Sequence, residues 1–215
     1  MFFYFIRLMS EQQDPFKQSV YEYRQSTKAL FAAQEVYNVH DPVSNEKYFY
    51  AKRDRLWFKR DVHVYVGSGD TDPKMMTMVD ESITDSFGSF AAIDNQDNFL
   101  ARFRRKFWRS AFWRETWTIE DEQNNVIGYM RAKGGFFKTL LRKFSLIGDN
   151  VDFILLFLRL HYQFFNAENE LYAEYSRKFS IRDFYKLEFL DESKMNVDKR
   201  AILSICFLLD SAEER

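Results

Sequence analysis

Trp117-Thr-Ile-Glu-Asp-Glu-Gln-Asn-Asn-Val-Ile-Gly-Tyr-Met-Arg-Ala-Lys133 reads as a β-hairpin. An alternating strand led by Trp117 runs into Asp121, whose side chain can bond its own backbone in a turn. The polar run Glu122-Gln123-Asn124-Asn125 follows, and a second alternating strand closes on a base. One parity of that second strand is Val126, Gly128, Met130 and Ala132; the other is Ile127, Tyr129, Arg131 and Lys133. The alternation is imperfect, as expected where both faces carry some apolar burden.

The same template recurs, without a gap, in Tyr37–Arg53, Phe90–Lys106 and Tyr162–Lys178. Each window opens on an aromatic residue (Tyr37, Phe90, Trp117, Tyr162) and places Asp41, Asp94, Asp121 or Asn166 four positions later. Each closes on a base at one offset: Arg53, Lys106, Lys133 or Lys178. In three of them a small residue (Ala101, Gly128, Ala173) follows the Asp or Asn by seven positions. The aligned acids could be mistaken for a carboxylate cluster, but their identical place in each hairpin marks them as turn residues. The windows start 53, 27 and 45 residues apart, so no solenoid of fixed period fits. Hairpins closing into one sheet or barrel do.

The chain's last segment differs in kind. From Ala201 to Leu209 only Ser204 is polar, and a helix apolar all round must be buried on every side. The thirteen residues Asp198–Asp210 would span about 20 Å, enough to run down the inside of a large barrel. Asp198 near the start suits the helix dipole; Asp210, Glu213 and Glu214 at the other end do not. Cys206, the one cysteine, falls mid-helix where a thiol is inert; it excludes a disulfide framework and fits a reducing, cytoplasmic setting.

Composition agrees with a large packed core. Aromatic residues make up 19% of the 215, against 7 Gly and 3 Pro, which excludes disorder and linker-dominated architectures. The opening run Met1–Ile6, and the runs Phe153–Leu160 and Ala201–Leu209, fall short of the roughly 20 residues of a membrane span. Nor does the first run resemble a secretory signal, and Met9 offers an alternative start of translation. The expected protein is soluble, or peripheral to a membrane at most. Its formal charge of −1 hides an asymmetry: residues 100–145 hold eleven Lys/Arg and four Asp/Glu, a net +7 that leaves −8 elsewhere. Such a field is oriented toward an anionic partner.

Four hairpins followed by an apolar C-terminal helix resemble the tubby C-terminal-like superfamily, and within it the phospholipid scramblase and plant LURP-one-related families. The most specific stretches are Phe179-Ser-Ile-Arg-Asp-Phe-Tyr-Lys-Leu-Glu-Phe-Leu-Asp191 and Asn196-Val-Asp-Lys-Arg-Ala-Ile-Leu-Ser-Ile-Cys-Phe-Leu-Leu-Asp210. They are similar to the scramblase C-terminal end, where a short acidic segment precedes a helix ending in Cys-Phe-Leu-x-Asp. The resemblance covers roughly residues 30–210. It implies a mainly β fold, a closed antiparallel barrel of about twelve strands around a buried helix near 198–210. Residues 1–29 are then an N-terminal extension and 30–215 the barrel domain.

Three candidate sites follow. The resemblance implies a calcium loop at Asp183, Glu188 and Asp191, but Arg182 and Lys186 stand among those acids and no Gly lies between 179 and 195. A dication site that needs six to eight oxygens fits poorly there, and Phe184–Phe189 reads as one more strand. The second candidate is Arg102–Trp117, where six bases and no acid up to Arg114 interleave with Phe103, Phe107, Trp108, Phe112 and Trp113. Cations attract anionic headgroups and indole rings sit at headgroup level. Tubby proteins bind phosphoinositides through basic residues on the barrel surface, which singles out Arg104, Lys106, Arg131 and Lys133. The alternative is that the aromatics are core and the bases a solvated face. The third is Gly135–Phe144, with apolar residues at helical spacing and Lys138, Arg142 and Lys143 off the stripe; it would lie on a membrane or cap the barrel.

Catalysis has no motif behind it: His40, His63 and His161 share no ligand spacing, and phosphate loop, nucleophile elbow and dinucleotide fingerprint are all missing. The expectation is therefore a non-catalytic monomer without cofactor that associates with anionic phospholipid headgroups, and whose lipid role extends to scrambling. Bases beside aromatics also suit single-stranded nucleic acid, but no RNP-like motif supports that partner. The competing expectation is a soluble interaction or small-ligand-binding barrel.

Overall fold

The computed structural model describes residues 14–25, 34–54, 61–81, 88–106, 116–133, 161–178 and 184–212. Its strands are β1 (Val20–Gln25), β2 (Gln34–His40), β3 (Lys47–Asp54), β4 (Val62–Val66), β5 (Lys74–Asp80) and β6 (Ser89–Asp94). They continue as β7 (Phe99–Arg105), β8 (Thr116–Glu120), β9 (Val126–Ala132), β10 (His161–Asn166), β11 (Leu171–Lys178) and β12 (Phe184–Phe189). Every strand pairs antiparallel with its neighbours in sequence, and β12 returns to β1, so the sheet closes into a twelve-stranded barrel without an open edge. A 3-10 turn, Glu192–Lys194, leads into the one helix among the described residues, α1 (Lys199–Ala212).

The barrel starts earlier than a boundary at residue 30. β1 pairs with both β2 and β12, and Tyr21 and Tyr23 are buried in the core. Without β1 those two strands would present unpaired backbone, so residues 20–25 belong to the barrel and not to an extension.

All four repeated windows are hairpins: β2–β3, β6–β7, β8–β9 and β10–β11. The aligned Asp and Asn residues serve the turns. Asp94 Oδ1 accepts the backbone N–H groups of Gln96 and Asn98, both at 2.9 Å; Asp121 Oδ1 accepts that of Asn125 at 2.8 Å. Asn166 Oδ1 accepts Glu170 N–H at 2.8 Å, and Asp41 Oδ1 accepts those of Val43 and Ser44 at 2.6 Å. Each turn contains one residue in the left-handed region (Asn45, Asp97, Asn124 and Asn169, φ 63–66°), the residue types that tolerate it best after glycine. Each hairpin has its register shift at the same place, one to two residues before the turn residue. Tyr48 donates to Asp41 Oδ2 at 2.9 Å; burial first, and that bond second, push its phenol up to about 12.

One turn is a residue longer. Asp94, Asp121 and Asn166 close backbone bonds with the carbonyl four residues on, whereas Asp41 N–H reaches Glu46, five residues on. Because side chains alternate with period two, that extra residue turns the second strand over relative to the other windows. In the other hairpins the small residue faces inward, Ala101 opposite Ala92, Gly128 opposite Ile119 and Ala173 opposite Phe164. In β2–β3 the inward partner of Val39 is Phe49. The closing bases split accordingly: Lys106 and Lys133 are exposed, while Arg53 points inward, is 6% exposed, and pairs with buried Glu35 at 3.1 Å. Gly128 has its own reason to be glycine, since a Cβ there would lie 2.7 Å from the Phe165 carbonyl oxygen on β10.

Helix α1 occupies the interior, as its uninterrupted apolar run requires. Every residue from Ala201 to Leu209 is at most 3% exposed. Its few polar atoms find partners: Ser204 Oγ donates to the Arg200 carbonyl at 2.9 Å, Cys206 Sγ to that of Ile202 at 3.3 Å. Tyr23 on the wall donates to the Leu203 carbonyl at 2.8 Å, and Phe207 packs against Tyr23 and Tyr37. Burial pushes the Cys206 thiol well up, which keeps it protonated and unreactive. Two cations fix the start of the helix to opposite sides of the rim. Lys199 Nζ donates to the Gln18 carbonyl at 2.7 Å and sits 4.5 Å from the Phe189 ring centroid. Arg200 is bonded to Asp198 at 2.8 Å and lies 3.7 Å from Asp94 in the β6–β7 turn.

Candidate functional site

The outer face of β7, β8 and β9 gathers the basic residues. Inward Ala101, Phe103, Gly128 and Met130 force Arg102, Arg104, Tyr129 and Arg131 outward by alternation, and Lys106 and Lys133 continue those rows. Strand register sets the neighbours: Arg104 is opposite Thr118, Thr118 opposite Tyr129, and Thr116 opposite Arg131. Arg104, Lys106, Arg131 and Lys133 are thereby brought onto one face. Lys138 and Arg142 lie outside the described residues, as do Phe107, Trp108, Phe112, Trp113 and the whole 135–144 segment. Phe103 and Trp117 belong to the core.

The four bases are not equivalent. Arg131 is wedged between the rings of Tyr129 and Phe165, 4.9 and 4.8 Å from their centroids, and Nη1 donates to Asn169 Oδ1 at 2.5 Å. Lys106 is exposed and rests 5.8 Å above the same Tyr129 ring. Arg104 is half exposed, with Nη2 3.3 Å from Glu120 Oε2. Glu120 is buried, and Oε1 accepts from Thr118 Oγ1 at 2.9 Å. Lys133 is 53% exposed, with Glu174 3.8 Å away. The Lys133–Glu174 pair contributes about 0–1 kcal/mol, so a competing anion displaces it at small cost, whereas Arg104 covers a carboxylate that is itself buried. Arg102 differs: it forks onto Glu81 at 2.7 and 3.0 Å and donates to Asn124 Oδ1 at 2.6 Å. That guanidinium holds the Glu81 carboxyl below its ordinary range. Arg102, Arg104 and Lys133 thus face the carboxylates of Glu81, Glu120 and Glu174, while Lys106 and Arg131 stand over the Tyr129 ring.

Sequence reasoning missed Glu174, Gln163 and His161, which stand beside Lys133 on β10 and β11. Burial works against ionisation of Glu174, but the Gln163 bond at 2.7 Å and the nearby His161 and Lys133 outweigh it and hold the carboxyl below the usual range. Nothing in the chain order could have found this group, because β9, β10 and β11 bring it together only through register.

The acidic segment has other duties. Glu188 lies on β12, where Lys186 Nζ approaches it at 2.6 Å. Asp191 caps the 3-10 turn through Ser193, and Lys194 is 3.7 Å away. Asp183 lies outside the described residues, among which no three His, Cys, Asp or Glu side chains are grouped to hold a metal ion. His40 and His63 sit apart on β2 and β4, with Nδ1 against the Asn45 carbonyl and Thr77 Oγ1 respectively. No helix among the described residues is long and apolar enough to cross a membrane. Compared with protein-family models and with curated proteins, the chain matches none.

Proposed function

We propose that this barrel associates peripherally, as a cytoplasmic monomer, with anionic phospholipid membranes through the outer face of β7–β9. One observation carries the reading: Arg104, Lys106, Arg131 and Lys133 share one outer face around Tyr129. An anionic leaflet attracts each such base with about 1 kcal/mol, and tyrosine suits the depth of the headgroups. The resemblance to tubby-like, scramblase and LURP-one-related proteins supports the same reading, and membership of that superfamily is part of the proposal. Transbilayer scrambling is the activity the scramblase resemblance adds.

The competing reading is a soluble interaction or ligand-binding barrel. Because α1 packs the interior, a small ligand would have to use the outside of the barrel. Co-sedimentation with phosphatidylcholine vesicles, with and without phosphatidylserine, separates the two. Binding to the anionic vesicles alone, weakening as salt rises, is expected. The triple substitution Arg104→Glu, Lys106→Glu, Lys133→Glu should weaken it about 100-fold or more, at about 1 kcal/mol for each base lost. Equal and negligible binding to both vesicles would sink the membrane reading. Exchange of labelled lipid between leaflets, measured on the same vesicles, tests scrambling.

A further inference from the structure

On the same outer face, Lys133 just beyond β9, His161 on β10 and Glu174 on β11 place one carboxylate between two bases. Glu174 Oε2 is 3.1 Å from His161 Nε2, and Glu174 Oε1 is 3.8 Å from Lys133 Nζ. Gln163 Nε2 donates to the same Oε1 at 2.7 Å and fixes the carboxylate's orientation. His161 and Glu174 are about three-quarters buried, at 23% and 25% exposure, whereas Lys133 is half exposed. Among the described residues, strand register also sets Arg131 on β9 opposite Gln163 and Ser176 on β11 opposite His161. On β12 it sets Lys186 opposite Ser176 and Glu188 opposite Glu174, with Lys186 and Glu188 paired at 2.6 Å.

We infer that this cluster is a pH gate on the membrane-facing surface, in which protonation of His161 claims Glu174, frees Lys133 for an anionic headgroup and strengthens membrane association in mildly acidic solution. The inference rests on the membrane reading and specifies how that face is regulated. With a neutral imidazole, Glu174 compensates Lys133 and the cluster carries no net charge. Once the imidazole is charged, one carboxylate serves two cations; the closer contact to His161 prevails, and Lys133 is left to solvent or lipid. The net charge of the face rises by one. Glu174, held below the ordinary carboxylate range, stays ionised throughout, so the change falls on imidazole, whose titration lies between pH 5 and 8. One further positive charge at an anionic surface is worth about fivefold in affinity.

Two measurements test it. Binding to phosphatidylserine-containing vesicles at constant ionic strength should tighten about fivefold between pH 7.5 and 5.5. His161→Gln should keep the affinity at pH 7.5 and lose the gain. A full gain in that variant overturns the gate and leaves the membrane reading standing. Separately, the His161 ring titration followed by NMR should move down in Glu174→Gln and up in Lys133→Met, with no membrane present. If neither moves, the three groups do not share charge and the gate falls. Intact titration shifts with no vesicle binding at either pH would instead overturn the membrane reading, and the gate with it.

Discussion

Strand β7 is fully buried at Ala101 and Phe103 on one side and carries Arg102 and Arg104 on the other, a contrast that β4, β10 and β12 repeat. The inner surface meets α1 and a wall of aromatic side chains, and within it buried Glu35 is paired with Arg53. The outer surface of β7–β9 holds half-exposed bases, paired with more buried carboxylates or set over aromatic faces. A close-packed interior tolerates neither added volume nor unpaired charge, whereas a solvated face exchanges partners at little cost. The inside therefore determines whether the chain folds, and the outside is free to carry a function.

Substitutions should break that contrast in a definite order. Leu208→Arg places a charge among residues at most 3% exposed and should leave no soluble folded protein; a soluble variant with a cooperative thermal transition would refute the buried placement of α1. Glu35→Ala strands Arg53 inside the barrel and should cost about 3–5 kcal/mol in urea unfolding, whereas replacing both by apolar residues should recover most of it. If the double variant is as unstable as the single one, the pair is more than a compensated charge. Gly128→Ala should lower stability by about 1–3 kcal/mol, because the new methyl meets the Phe165 carbonyl oxygen across the β9–β10 pair. An unchanged unfolding midpoint would mean that the two strands can part at that point. On the outside, Lys106→Glu should stay within about 0.5 kcal/mol of the parent, since it replaces an exposed base. A loss of several times that size would show that the Lys106–Tyr129 contact belongs to the fold and not to a free surface.

Much of the inside was legible from local order. The aromatic-then-Asp windows gave four hairpins at their true places, because an Asx turn and its left-handed residue are local chemistry. Eight apolar residues in nine announced a helix that had to be covered, and α1 extends over Lys199–Ala212 where residues 198–210 were expected. β1 was hidden by its brevity and by charged Glu22 and Arg24, although Tyr21 and Tyr23 alternate as a strand should. β4–β5 escaped the repeat because its turn is built on Asp72, which accepts the N–H groups of Ser68 and Gly69, and not on a residue at the end of the first strand. The basic face was legible only in composition. That Arg131 is stacked and bonded, Arg102 clamped by Glu81, and Lys106 set over the Tyr129 ring depends on partners 21 to 38 residues away or across strands.

By itself the sequence determined the hairpins, their turn chemistry and the need for an enclosure around residues 201–209, since each follows from neighbours within one or two turns of chain. Only the tertiary structure decided which way the strands face and which charges meet. The gapless alignment of Arg53 with Lys106 and Lys133 is the clearest case. One additional residue between Asp41 and Glu46 inverts the parity of β3, so one aligned base is buried against Glu35 while the other two stand on the surface. Registers across β9, β10 and β11 likewise made Lys133, His161 and Glu174 neighbours although 28 and 13 residues separate them in turn, because barrel closure brings together side chains that no local rule connects.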